Sequence, residues 1–362
     1  MHKPHRWLWL KIFLAGIAVA VLAALAPVAW IELRCVKTPA AADATYQPIL
    51  EPAYRRNEIN TYLTYPEWSI VHAYEDFAGV VRVKGESDFA YFSSIRGYWS
   101  NLCAMTSHAS ARGNIGSDVK AMLYIIGLSF AAEMGVKGAY ELTIGRFTEA
   151  IRGADRTPED RFALAVAEHY ATFLQQTPWY AYPFGPTLAR FWAEVPWGEG
   201  NLLRKIERRF SITLEYGVKA LYARAIGALA GITPAALRIQ SVVRGLDDSD
   251  LAADARIRRI EARPDGTSVI ETPRYREFTQ ILGGLASRGR DVVEIAGNDD
   301  MFVTLLMPPG ARTAKGELLI TVPNQSRPGW RRDGLAIKVT VLAELMRSLS
   351  ASGAQFEHAY DY

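Results

Sequence analysis

Cysteine is nearly absent from the chain: Cys35 and Cys103 are the two in 362 residues. That is too few for a disulfide framework, and the pair lacks the spacing of a zinc site. The two can bridge in an oxidising compartment, and two free thiols fit the sequence equally well. An excess of one charge is missing too, with 41 Lys and Arg against 38 Asp and Glu. So balanced a chain has no global field drawing it onto nucleic acid, and no nucleic-acid partner is expected. There is no Gly-x-Ser-x-Gly elbow. Gly283-Gly284 falls inside an expected helix and Gly198-Glu199-Gly200 has no strand before it, so neither makes a phosphate loop. No Glu is followed three residues later by His, which excludes the carboxylate–histidine pattern of di-metal bundles. Long repeats are also absent, and low complexity is confined to the short Ala-rich piece 40–44.

What is present begins with Trp7–Ile31, about 25 residues whose one charge is Lys11. A helix needs roughly 20 apolar residues to cross a bilayer, so the run reads as a single transmembrane anchor. Trp7, Trp9 and Trp30 stand where indole rings favour the lipid–water boundary. His2, Lys3, His5 and Arg6 precede the run, while Glu32, Arg34 and Lys37 follow it. The basic flank places the N-terminus in the cytoplasm and the bulk of the chain outside it, periplasmic in a bacterium. A cleaved signal peptide, with Ala23, Ala24 and Ala26 imitating a small-residue cleavage site, is the competing reading. Lipid attachment at Cys35 is disfavoured by the charged and bulky residues Glu32, Leu33 and Arg34 before it.

After the anchor the expected order is a linker at 32–52, a helical domain at 53–246 and an α+β domain at 251–362. Residues 1–6 remain on the cytoplasmic side and 7–31 form the anchor. Hydrophobic residues make up 49% and charged residues 22%, which suits a folded chain and not a disordered one. Thr64 and Pro66 predict a helix from about Tyr65. Another is expected from about Asp88, and Ser117–Ala150 predicts a central buried helix. Thr157-Pro158-Glu159-Asp160 is a capped helix start. A helix with a basic beginning is expected over 200–231, and a last short helix before an acidic turn at 247–250. Beyond 250 the period turns alternating, in the order β-β-α-β-β-β-β-α-β. That order indicates an antiparallel α+β sandwich, ferredoxin-like in its helix placement.

Candidate chemistry is sparse. His72 and Asp76, four apart, share a helix face, and that pairing can orient an imidazole as a general base. Glu133, Lys137 and Glu141 also share a face and form an expected ion-pair network. With His72 and Asp76 the two glutamates are the candidate catalytic groups, although no metal set or cofactor motif accompanies them. The aromatic stretch with Trp179, Tyr180, Tyr182 and Trp192, followed by Arg204, Lys205, Arg208 and Arg209, predicts a surface for lipid head groups. Asn298, Asp299 and Asp300 follow a glycine between two alternating runs and read as a turn. The polar loop at 323–333, with Trp330, Arg331 and Arg332, is the expected contact for a protein partner.

The function these features predict is a membrane-anchored, non-catalytic protein. Its helical domain binds a lipid-like ligand or membrane surface, and its C-terminal domain mediates protein interaction. The rival is a membrane-anchored enzyme, hydrolytic or metal-dependent, which requires His72 and an acid to converge in a cleft.

Overall fold

The computed structural model describes residues 4–39, 46–198, 200–228, 237–313 and 315–362. The apolar run at the start forms one helix, α1 (Pro4–Arg34). Six further helices follow before residue 200: α2 (Asn60–Val83), α3 (Tyr91–Arg112), α4 (Ser117–Tyr140), α5 (Arg146–Arg152), α6 (Pro158–Leu174) and α7 (Phe184–Glu194). Among the described residues the last helix of this region is α8 (Leu202–Gly227), and the start of the short helix expected before the acidic turn lies outside them. A π-helical turn, Glu141–Gly145, joins α4 to α5 without a break in the helical run.

Local chemistry explains several of these boundaries. Thr157 caps α6 by accepting from the Asp160 amide while Asp160 reaches back to the Thr157 amide, with Pro158 in the first turn. That reciprocal cap is the one the sequence predicts. By contrast, α2 starts at Asn60 and carries Pro66 inside it. Tyr62, Leu63 and Tyr65 are buried on its first turns, and their packing holds the helix through the proline. Thr64 does not cap; its hydroxyl donates to the Asn60 carbonyl.

The C-terminal region is built of antiparallel sheets, as expected, but its first strand stands where a helix was predicted. The order is β1 (Arg238–Arg244), α9 (Asp248–Ala253), β2 (Arg258–Ala262), β3 (Thr267–Pro273), α10 (Tyr275–Ser287) and β4 (Asp291–Ile295). The chain then continues with β5 (Asp300–Met307), β6 (Glu317–Pro323), β7 (Arg331–Lys338), α11 (Leu342–Ser348) and β8 (Gln355–Ala359). One sheet has the order β2-β3-β1-β4 and the other β6-β7-β5-β8. These are the same arrangement met twice. In each sheet the first strand pairs with the third and fourth, the second flanks the third, and a helix precedes the fourth. Even the irregularities correspond: the register slips at Val242/Val243 and again at Thr304/Leu305, then at Arg259/Glu261 and again at Leu318/Ile320.

The expected β4–β5 hairpin does not form, since the two strands enter different sheets. Residues 296–299 still turn there, with Ala296 and Gly297 at positive φ and a single bridge between Ile295 and Asn298.

The second sheet is covered on both faces. Met301, Val303 and Leu305 of β5 enter a core shared with Phe278 and Leu282 of α10 and Leu345 of α11. Phe302, pointing the other way, joins Tyr62, Tyr65 and Tyr360 in the core of the helical domain. Strand alternation thus fastens one sheet to two helical layers. The segment after α1 is tied down as well: Glu294, fully buried, accepts from the Tyr46 hydroxyl and from the Ile49 and Leu50 amides.

Candidate functional site

Two buried polar constellations stand out. The first lies between α8 and the run formed by α4, the π-turn and α5. The helices pass each other antiparallel: Lys137 pairs with Glu215 at 3.0 Å, and Arg204 Nη1 donates to the Gly145 carbonyl at 3.1 Å. Along this seam acids and bases alternate. Lys219 pairs with Glu133 at 2.7 Å and Glu215 at 2.8 Å, and Lys137 also reaches Glu86 at 3.3 Å. Arg208 then meets Glu86 at 3.0 Å, Glu141 at 2.8 Å and Glu207 at 2.5 Å. Arg204 continues the chain to Glu207 and Asp160.

The polarity of these helices is inverted with respect to water. Arg204, Lys205, Arg208 and Arg209 are all buried, although their spacing predicted a basic surface for head groups. Lys205 donates to the Pro196 and Trp197 carbonyls. Arg209 pairs with Glu159 at 2.9 Å and lies 3.8 Å from the Trp197 ring centre. Arg204, Arg208 and Arg209 find counter-charges in Glu86, Glu141, Glu159 and Asp160, distant in sequence, which offset part of the cost of burying them. The outward side of α8 carries Leu202, Ile206, Phe210, Leu214, Val218 and Leu221, each more than 50% exposed. On the run from α4 to α5, Met122, Ile125, Val136, Ile144, Phe147 and Ile151 are exposed too, at 44–74%. Ser117–Arg152 is therefore not the central buried helix that its composition predicted. By length and composition this run is also apolar enough to cross a membrane.

Burial alone would lower the Lys137 and Lys219 ammonium pKa values, but glutamates raise both well above the ordinary value: Glu215 and Glu86 act on Lys137, Glu133 and Glu215 on Lys219. Glu215 is held far below the carboxylate range despite its burial, because both lysines face it. Glu141 goes the other way: burial and the neighbouring Glu86 push it up to about 7 against the pull of Arg208. A small cavity bordered by Tyr74, Tyr170, Glu215, Tyr216 and Lys219 adjoins the seam, with a free volume of about 30 Å³.

The second constellation fastens α2 to the second sheet. His72 Nδ1 lies 2.8 Å from Glu75 Oε2, while Nε2 lies 3.0 Å from the Tyr360 hydroxyl and 3.7 Å from Glu357 Oε2. Arg332 holds Glu357 with two bonds, at 2.6 and 2.7 Å. Burial would raise the Glu357 pKa, yet that guanidinium brings it down to about 2. His72, Glu75 and Glu357 could by distance surround a cation, but Arg332 already neutralises Glu357 and both imidazole nitrogens have partners. Asp76 does not join His72. It accepts from the Gln325 amide and the Ser326 hydroxyl. Among the described residues the catalytic pairing of His72 with Asp76, Glu133 or Glu141 is thus not assembled; the glutamates belong to the seam.

The remaining candidates divide. Tyr182 is buried among Tyr170, Phe173 and Phe184. Trp179 stacks on Tyr222 with ring centres 5.1 Å apart, close to Tyr180. Trp192 is 46% exposed and donates to the Thr213 hydroxyl. Arg332, expected at a partner-binding loop, is buried on Glu357, while Arg331 pairs with Asp333 at 3.0 Å and Trp330 is half-buried. Cys35 and Cys103 are joined in a disulfide. Glu215, Lys219, Glu86, Glu357 and Tyr360 carry these sites without having been predicted; their partners lie too far off in sequence for helix spacing to reveal them. No family model matches the chain, and no curated protein or solved structure matches it.

Proposed function

We propose that the protein is an anchored, membrane-seated module with no catalytic role. In this reading α1 crosses the bilayer from a cytoplasmic N-terminus, and the helical domain beds onto the outer membrane surface through α4, α5 and α8. The observation that carries it is the inverted polarity of the seam: most of its charges turned inward and a row of exposed apolar side chains turned out. That face begins where the anchor ends, because Glu32 of α1 accepts from Lys120 at 2.9 Å and from Tyr124 at 2.7 Å, both on the first turns of α4. A surface position suits the domain better than a second crossing. Arg82, Arg96 and Arg161 are exposed on α2, α3 and α6, and Lys84 just beyond α2; a crossing by the whole domain would carry them into hydrocarbon. The Cys35–Cys103 disulfide supports an oxidising compartment for the body of the chain.

The strand order supports reading the C-terminal region as two ferredoxin-like units. The first is complete with α9, and in the second the residues after β5 take that helix's place. This region is the part that meets a protein partner in the aqueous phase, with Trp330 on the turn between β6 and β7 and Arg331 at the start of β7.

Nitroxide labels at Phe210→Cys, Val218→Cys and Ile144→Cys test the seat in vesicles, with Arg258→Cys as the water-facing control. Labels in lipid collide freely with oxygen and poorly with a water-soluble nickel chelate. Control-like access to the chelate at all three sites would refute the reading. Protection from both reagents would replace the bilayer by another protein surface.

A further inference from the structure

Arg208 is one guanidinium among three carboxylates, and these are not equally compensated. Glu86 has Lys137 at 3.3 Å as a second cation, and Glu207 has Arg204 at 3.0 Å. Among the described residues Glu141 is paired directly with Arg208 alone, on Oε1 at 2.8 Å. Its Oε2 is buried and has no hydrogen-bond partner among the described residues, and the side chain is 3% exposed. A lone buried carboxylate oxygen costs more when ionised than when protonated, since the neutral form leaves one hydroxyl without an acceptor and the ionised form leaves a charge without a partner.

The backbone gives that oxygen its place. Glu141 opens the π-helical turn that closes at Gly145, and such single-turn widenings of an α-helix gather at functional positions. A Cβ built on Gly145 would lie 2.2 Å from Glu141 Oε2. The carboxylate is seated in the space that the missing side chain leaves.

We propose that Glu141 is a proton-binding site, whose Oε2 takes a proton from water and so withdraws one carboxylate charge from the cage around Arg208. Loss of the proton restores the three-acid cage. The groups facing this site are Glu86 from the turn after α2, Tyr91 from α3, Arg204, Glu207 and Arg208 from α8, and Lys137 and Tyr140 from its own helix. Glu86 raises the proton affinity, while Arg208 and Lys137 oppose it. The balance leaves the carboxyl titrating at about 7. The site is independent of what covers the apolar face, since it lies on the opposite, buried side of the helix pair.

Infrared difference spectra of the full-length protein in detergent, stepped between about pH 9 and about pH 5, read the protonated-carboxyl stretch directly. A band rising with a midpoint near neutrality is expected in the wild type and in Glu168→Gln, a surface control, and not in Glu141→Gln. Gly145→Ala, which crowds Oε2, is expected to move the midpoint by at least about half a pH unit. A near-neutral band that survives Glu141→Gln overturns the proposal, as does a wild-type protein without one. Should Glu141→Gln not fold, an unmoved midpoint in Gly145→Ala overturns it equally.

Discussion

Lys219 and Glu133 meet at 2.7 Å between α8 and α4, and the sides of both helices turned away from that contact are apolar. Charge inside and hydrocarbon outside is the reverse of a water-soluble helix pair. Stability of the seam rests on geometry, since buried ions are tolerated only when each has its partner.

Arg208→Met is accordingly expected to destabilise the protein by more than about 3 kcal/mol, because Glu86, Glu141 and Glu207 lose their shared cation. Arg82→Met breaks a pair with Glu168 whose arginine is 65% exposed, and its effect should stay under about 1 kcal/mol. Urea unfolding of the two variants in detergent compares them; equal effects would contradict the buried-network description.

The pH dependence has a definite sign. Glu141 has a folded pKa of about 7, against an ordinary value of 4.5. Between those values the folded state holds a proton that the unfolded chain has released. Its contribution is full below the unfolded value and is lost as pH rises through about 7, a change of about 3 kcal/mol at most. Thermal midpoints should fall over that window in the wild type and stay nearly level in Glu141→Gln.

His72→Ala removes the bridge between α2 and Tyr360 and should lower stability by about 1–3 kcal/mol. Metal analysis of the purified full-length protein should read the same before and after the substitution. Stoichiometric metal that disappears with His72 would revive the enzyme reading.

Cys35 and Cys103 lie 68 residues apart in sequence, so their bond closes a long loop and is worth up to about 4 kcal/mol in the unfolded-chain account. Reductant, or Cys103→Ser, should lower the thermal midpoint. The unreduced protein, unfolded in denaturant, should show no thiol that reacts with a maleimide.

Glu294→Ala leaves the Tyr46, Ile49 and Leu50 donors without their acceptor, at about 2 kcal/mol, enough to raise local opening at least tenfold. Faster proteolysis between residues 38 and 50 is the expected readout. An unchanged cleavage rate would show that other contacts hold this segment.

What the sequence discloses and what it hides follows the range of the interactions. The start of α6 was legible because its cap, its proline and its acids are all within four residues. The strands of 258–323 were legible from alternation and turn residues. Strand β1 was not: Arg238–Arg244 is short and follows a helical stretch, and the sheet partners that define it are at 267–273 and 291–295. With β1 unseen, the repeat of one strand order in two sheets could not be seen either. The basic group of α8 shows a related failure. Its spacing establishes that the cations share a face, but which face meets water depends on acids 44 to 122 residues away. At His72 the helix offers both Glu75 and Asp76, and the choice is made by Tyr360 and Glu357 from the last strand.

The disulfide alters how freely the body can move about α1. From Val36 to Leu50 a fully drawn-out chain would span about 50 Å, a leash long enough for the domain to roam and tilt. Cys35, one residue beyond α1, is bolted to Cys103 in the middle of α3. The leash is thereby short-circuited, and a pull on α1 enters the helical body directly instead of unspooling the chain between them. Under the proposed membrane seat, height above the bilayer and angle to it would be properties of a rigid joint, with the apolar face held to one orientation before it meets lipid.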